Sequence, residues 1–230
     1  MIMEYTYQYG YPTAKRIVEL QEACKSSTET HSEEYQGHYR PLKVAEVRIE
    51  MLVYRIENIR TKSLQKEYLA KNPDAPKDMF TADPYSIETQ ETQHQLLKSL
   101  VEKEGLMKAF KKEMTQQTEP IICSDEGVVV NGNRRLCAWR ELYYSDKIKY
   151  KHFQTVKVAV LPNHDPQGIY DLEVALQIRP SMRDEYSWHA IAADCKEKAE
   201  TIDIRDIAKK QNKSPDEVST LIECYDYATQ

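Results

Sequence analysis

The sequence predicts an α+β fold: a small mixed sheet with helices, followed by an all-helical C-terminal region with a helix-turn-helix-like unit. Three observations predict it. Short β-branched or apolar runs, bounded by turn residues, occur at residues 42–53, 120–130 and 153–161. Segments with helical apolar spacing lie between them, most clearly 89–104. Beyond residue 166 only helical patterns remain, which sets a boundary near residue 165. The expected organisation is an N-terminal arm over 1–41, a mixed domain over 42–165 and a helical domain over 166–230.

Each element has its own pattern. Residues 1–41 are polar and tyrosine-rich, with helical periodicity around 14–23, where Ile17, Val18 and Leu20 share a side. Residues 26–39 read as a polar loop or a disordered connection. Leu42, Val44, Val47, Ile49, Met51 and Val53 predict one or two strands, with an irregularity near Ala45 and Glu46. A short helix is expected over 63–70, broken by the prolines at 73 and 76. Leu96, Leu97, Leu100 and Val101 form the inward stripe of the 89–104 helix, and Gly105 stops it. A helical piece follows at 107–114, then strands at 120–123 and 127–130 joined by Ser124-Asp125-Glu126. A helix over 134–144 points Leu136, Trp139, Leu142 and Tyr143 inward, and the 153–161 strand alternates Val156, Val158 and Val160.

Composition excludes several function classes. The net charge of −5 argues against a generally basic, sequence-blind nucleic-acid binder, though it leaves room for a local basic pocket. The five cysteines (Cys24, Cys123, Cys137, Cys195 and Cys224) are widely spaced, odd in number and without a C-x-x-C pair. Neither a zinc ribbon nor a disulfide framework is therefore expected, and no metal site. The N-terminus lacks a charged region followed by an apolar stretch, and no run approaches the ~20 apolar residues of a membrane span. A cytoplasmic protein with no membrane partner is expected.

The run Asn131-Gly132-Asn133-Arg134-Arg135 ends a strand and starts a helix. The first N–H groups of a helix have no internal partner, and its dipole concentrates positive charge there. Gly132 allows a left-handed turn and close approach of a ligand, and the two arginines offer forked donors. Together these make a phosphate site. The same residues also read as an ordinary turn with Asn133 as the cap and both arginines solvated.

The flanking residues add to this. Glu119-Pro120-Ile121-Ile122-Cys123, then Gly127 through Leu142 with Ala138 in the helix, resembles the ParB/sulfiredoxin family. The resemblance covers roughly residues 42–228, with insertions before Pro120. It implies a CTP or ATP site at Asn131, Gly132, Asn133, Arg134 and Arg135, with Mg²⁺ accompanying the nucleotide. ParB proteins hold the triphosphate of CTP on this motif; relatives use ATP for sulfinic-acid reduction or for phosphorylation of a small molecule. Sulfiredoxins carry a reactive cysteine where this chain has Asn133, so their chemistry is not implied. Cys137 reads as core.

The resemblance further implies an arginine on an early loop facing the nucleotide, here Arg60, with Glu57 as a metal-orienting or basic group. A local Glu57–Arg60 pair on a solvated strand end is the other reading. Where the family has a Glu-Asn pair followed by arginine, this chain has Gln177 and then Arg179 or Arg183. Gln177 is the second catalytic candidate, and a glutamine weakens any hydrolysis, because it neither acts as a base nor binds Mg²⁺ strongly.

Residues 206–221 fit a helix-turn-helix: Ala208 at the crossing, Asn212 at the turn, and Ser214, Pro215 and Glu217 starting the second helix with a capping box. Lys209, Lys210 and Lys213 are the candidate DNA-backbone contacts, whereas Asp216 and Glu217 oppose DNA at the leading end. A structural helix pair or a protein-partner surface fits equally. The family's dimerisation segment has no counterpart before residue 230, although a homodimer stays open. The expected function is nucleotide binding, with or without weak hydrolysis, in a DNA-associated assembly. A small-molecule phosphotransferase, or a non-catalytic module of a plasmid, phage or defence system, is the alternative.

Overall fold

The computed structural model describes residues 9–10, 12–112, 117–163, 165–178, 188–211 and 213–229. The chain divides into two compact units, Met1–Ile178 and Arg179–Gln230. The described residues form a mixed α and β protein.

The first unit opens with α1 (Thr13–Ser26), followed by β1 (Thr30–Tyr35) and β2 (His38–Arg48). β1 and β2 form an antiparallel hairpin, so residues 26–39 are not the polar loop that composition predicts. Gln36 and Gly37 both take positive φ, 55° and 74°, the turn whose twist suits a tight hairpin. Charge hid this strand: only Glu33 and Tyr35 of β1 are buried, so the alternation is two residues long. β2 also runs unbroken through Ala45 and Glu46, which pair with Val158 and Lys157. The irregularity lies later, in a 3-10 turn at Ile49–Met51, before β3 (Val53–Tyr54). Arg140 explains the shift. Its buried Nη2 donates to the carbonyls of Ile49 (2.9 Å) and Leu52 (2.6 Å), which a straight strand would give to a neighbour.

Next come α2 (Lys62–Lys71), α3 (Met79–Ala82), α4 (Ile87–Lys103) and α5 (Leu106–Lys112). Gly105 turns the chain between the last two at φ +70°. β4 (Ile121–Cys123) and β5 (Val128–Asn131) form the second hairpin; α6 (Asn133–Ser145) leads to β6 (Thr155–Val160) and α7 (Pro166–Ile178). The six strands lie in the order β1-β2-β6-β4-β5-β3, mixed in direction: β4–β6 and β3–β5 are parallel, the rest antiparallel.

Strand alternation divides the core between the two faces. Ile121, Cys123, Val129 and Val158 face a cluster with Leu97, Leu136, Trp139 and Leu142 from α4 and α6. Ile122, Val130 and Ala159 face the other side, where Ile169 and Leu172 of α7 cover them. α7 is thus part of the first unit, and the boundary falls after residue 178 rather than near 165. Helical periodicity shows an apolar face without showing which body that face covers.

The second unit holds α8 (Trp188–Ala199), α9 (Ile204–Lys210) and α10 (Pro215–Ala228) around buried Cys195, Ile207, Ala208 and Val218. Ser214 accepts from the Glu217 N–H while Glu217 accepts from the Ser214 N–H, the reciprocal cap that the sequence predicts. Asn212 lies outside the described residues. No helix among the described residues is long and apolar enough to cross a membrane.

Candidate functional site

β5 delivers the chain to Gly132, which caps α6 at φ +105° and ψ 14°. A Cβ there would sit 3.0 Å from Ile121 Cγ1 and 3.2 Å from Arg135 Nη2, in a backbone region that side chains resist. The cap is Gly132, not Asn133, and it supplies no side-chain acceptor. The first intrahelical bond is Leu136 N–H to Gly132 C=O (2.9 Å), which leaves the amides of residues 133–135 without a helical acceptor. They open on a pocket of about 280 Å³ lined by Asn58, Arg60, Gly132, Arg134, Arg135 and Glu173, with Leu97, Leu106, Val130 and Leu176 as apolar wall.

The pocket brings together Arg60 and the residue 131–135 turn, but the side chains divide their tasks. Asn133 is buried: its Nδ2 donates to Val129 C=O (2.9 Å) and its Oδ1 accepts from Arg55 N–H (3.3 Å). It ties the exit of β3 to β5 and leaves only its backbone for a ligand. Arg134 is half-exposed and ion-paired with Glu104, just past the end of α4. Arg135 donates to the carbonyls of Glu119 (3.1 Å) and Pro120 (3.4 Å), and its guanidinium lies 5.9 Å from the Trp139 ring centre. Burial lowers its pKa from the ordinary arginine value. Arg60 is exposed at the rim.

Sequence reasoning did not pair two residues that meet here: Glu173 lines this pocket and Arg55 the neighbouring one. Arg55 Nη1 meets Glu173 Oε2 at 2.5 Å, and Glu173 Oε1 accepts from Ile59 N–H at 3.1 Å. The side chains are 9% and 3% exposed, so this is a buried pair. Glu57 touches Arg55 at 3.4 Å, but its side chain is 78% exposed. It lines a neighbouring pocket of about 230 Å³ with Arg55, Phe80, Tyr85, Ser124 and Ile169. No local pattern joins Arg55 to Glu173, which stand 118 positions apart.

The loop carrying Arg55, Asn58 and Arg60 is held by buried amides. Gln90 accepts from Tyr54 N–H (2.7 Å) and donates to Tyr54 C=O (2.9 Å), standing in for a neighbouring strand at the sheet edge. Gln65 donates to Ile56 C=O (2.7 Å) and to Gln93 Oε1 (2.9 Å), and Gln93 donates to Thr61 (2.9 Å). Thus the inward stripe of α4 begins with Gln90, Gln93 and His94 before Leu97 and Val101, whereas Leu96 and Leu100 are only half-buried. A backbone loop inside the fold needs donors and acceptors that leucines lack.

His94 extends this network. Its Nε2 lies 2.8 Å from Glu141 Oε1 and its Nδ1 2.7 Å from the Tyr54 hydroxyl. A carboxylate only accepts, so neutral His94 donates from Nε2 and accepts the Tyr54 O–H at Nδ1. Burial lowers the His94 pKa from its ordinary value, against the opposing pull of Glu141.

Among the described residues, no group of three or more His, Cys, Asp or Glu is placed to hold a metal ion. The side chain of Gln177, and all of Arg179 and Arg183, lie outside the described residues. In the second unit Lys209 and Lys210 are exposed and Lys213 is half-buried, its N–H bonded to Ala208 C=O at 2.9 Å. α10 carries Asp216, Glu217, Glu223 and Asp226 and no lysine or arginine.

No family model, curated protein or solved structure matches the chain.

Proposed function

We propose that the first unit binds a nucleoside triphosphate, CTP or ATP, with its phosphates at the N-terminus of α6, in the manner of the ParB-type site that residues 119–142 resemble. One observation carries the reading: Arg60, from the loop after β3, lines the same pocket as Gly132, Arg134 and Arg135. Unpartnered amides, the positive end of a 13-residue helix and guanidinium groups converge there, the chemistry that polyphosphates need. At about 280 Å³ the pocket is near the small end of ligand sites, ~300–1,000 Å³, so the phosphates and sugar fill it and the base lies toward the mouth.

Binding is favoured over turnover. Among the described residues Glu173 is the one carboxylate lining the pocket, and it is paired with Arg55, while Glu57 lies outside it. Mg²⁺ then enters on the phosphates rather than on a protein ligand set. The adjoining pocket favours a second reading, phosphate transfer to a small molecule. Val130 lines both pockets, and Glu57 stands at the second one. For the helical unit, the carboxylates of α10 favour a protein partner over a DNA groove.

Calorimetry with all four ribonucleoside triphosphates, with and without Mg²⁺, tests the proposal. The expected Kd is on the order of micromolar to millimolar, about −8 to −4 kcal/mol. Arg134→Ala and Arg60→Ala should each abolish or greatly weaken the heat. The absence of heat with every nucleotide sinks the reading.

A further inference from the structure

Some described lysines sit beside a carboxylate: Lys71 with Glu67, Lys98 with Glu141, Lys157 with Glu29, Lys196 with Asp226. The segment between α6 and β6 gathers three that do not, within five positions. Lys147, Ile148, Lys149, Lys151 and His152 are consecutive or nearly so, and all are exposed. Among the described residues, no carboxylate pairs with Lys147, Lys149 or Lys151. Asp146, the acid in the loop, is engaged in shaping it: its Oδ1 accepts from the N–H groups of Ile148 (3.1 Å) and Lys149 (2.9 Å). Its carbonyl accepts from Tyr150 N–H at 2.9 Å.

The lysines are also held in place. The Lys147 ammonium lies 5.0 Å from the Tyr144 ring centre and 5.8 Å from that of Tyr143; Lys149 lies 5.1 Å from Tyr150. These rings are themselves nearly buried, so they anchor the cations without offering a stacking surface. Between the two lysines Ile148 is 91% exposed, the most exposed of the large hydrophobic side chains described. The result is an exposed loop in which an apolar side chain stands between two ring-anchored cations.

We infer that this loop is a nucleic-acid contact, with Ile148 entering the minor groove of a DNA duplex and Lys147, Lys149 and Lys151 on the phosphates that border it. A single apolar wedge between cations matches that groove, whose walls are two rows of anions. A bilayer is a poorer match, because stable adsorption needs a larger apolar face than one isoleucine. The inference does not rest on nucleotide binding in the first unit's pocket. It places DNA contact on the mixed unit rather than on the acidic α10.

The test is fluorescence anisotropy of a labelled AT-rich duplex titrated with the full chain over a series of salt concentrations. Three phosphate contacts predict a slope of log K against log salt near ~−2.7. The triple variant Lys147→Gln, Lys149→Gln, Lys151→Gln should lose ~10-fold or more at low salt. Ile148→Ser should weaken binding while keeping the slope, and it remains informative if the triple variant fails to fold. Lys209→Gln, Lys210→Gln, Lys213→Gln should leave both unchanged. The inference is overturned if the wild-type chain does not bind the duplex, if the helix-turn-helix variant rather than the loop variant loses it, or if phosphatidylserine vesicles bind and the duplex does not.

Discussion

Removing the carboxylate of Glu173 should destabilise the first unit strongly, and the structure sets the size of the effect. Glu173→Ala leaves the Arg55 guanidinium, 9% exposed, without its 2.5 Å partner and leaves Ile59 N–H without an acceptor. Breaking a buried pair from one side costs about 3–5 kcal/mol. Arg55 retains a contact to Glu57, but that carboxylate is mostly exposed and screened, so the lower end, about 3 kcal/mol, is expected. For a unit of this size each kcal/mol shifts Tm by ~2–4 °C, so a fall of roughly 6–12 °C follows. The chain has two tryptophans, Trp139 buried in the first unit and Trp188 half-exposed in the second. Urea and thermal unfolding followed by fluorescence in a Trp188→Phe background therefore report on the relevant unit. Replacing both partners, Arg55→Leu with Glu173→Leu, should recover most of the loss, because no unpaired charge remains inside. A loss below ~1 kcal/mol, or additive single effects, would refute the argument.

Other perturbations follow from the same geometry. Gly132→Ala forces a side chain into φ +105° beside Ile121 and should cost about 1–2 kcal/mol while weakening any nucleotide heat; urea midpoints and calorimetry measure both. Gln90→Leu strips both backbone groups of Tyr54 of their partners and should cost ~2–4 kcal/mol in the same urea assay. His94 has a folded pKa below its unfolded value of about 6.5, so the unfolded chain takes up the proton first. Its stabilising contribution is present above that pH and is lost as pH falls through the folded value; urea midpoints should drop on acidification below ~6.5, and His94→Gln should flatten the drop. Burial pushes the Cys137 thiol up to about 12 and also raises Cys123, whereas Cys224 is exposed. Native protein should label rapidly with a thiol reagent at Cys224 and not at Cys123 or Cys137, as peptide mapping would show.

Legibility in the sequence followed the range of the interactions. The strands at 121–123, 128–131 and 155–160, the helix ended by Gly105 and the Ser214–Glu217 cap were legible, because periodicity, a left-handed glycine and an i,i+3 cap are local. β1 was not, because Glu33 and Glu34 mask a strand whose pairing comes from β2. The place of α7 was not legible either, since its apolar face fits any apolar partner until the sheet supplies Val130 and Ala159.

The candidate site divides the same way. Asn131 through Arg135 announced a strand–turn–helix, and chain chemistry alone determined that Gly132 would carry the positive φ and open the first amides of α6. Only the tertiary structure decided what the neighbouring side chains do. It buried Asn133 as a bracket, set Arg135 on the carbonyls of β4's approach, paired Arg134 with Glu104, and joined Arg55 to Glu173, which lines the pocket. The physical reason is that a backbone turn is dictated by residues within a few positions of one another. The partner of a long polar side chain is whichever group the fold brings within about 3 Å, and that group lies anywhere in the chain.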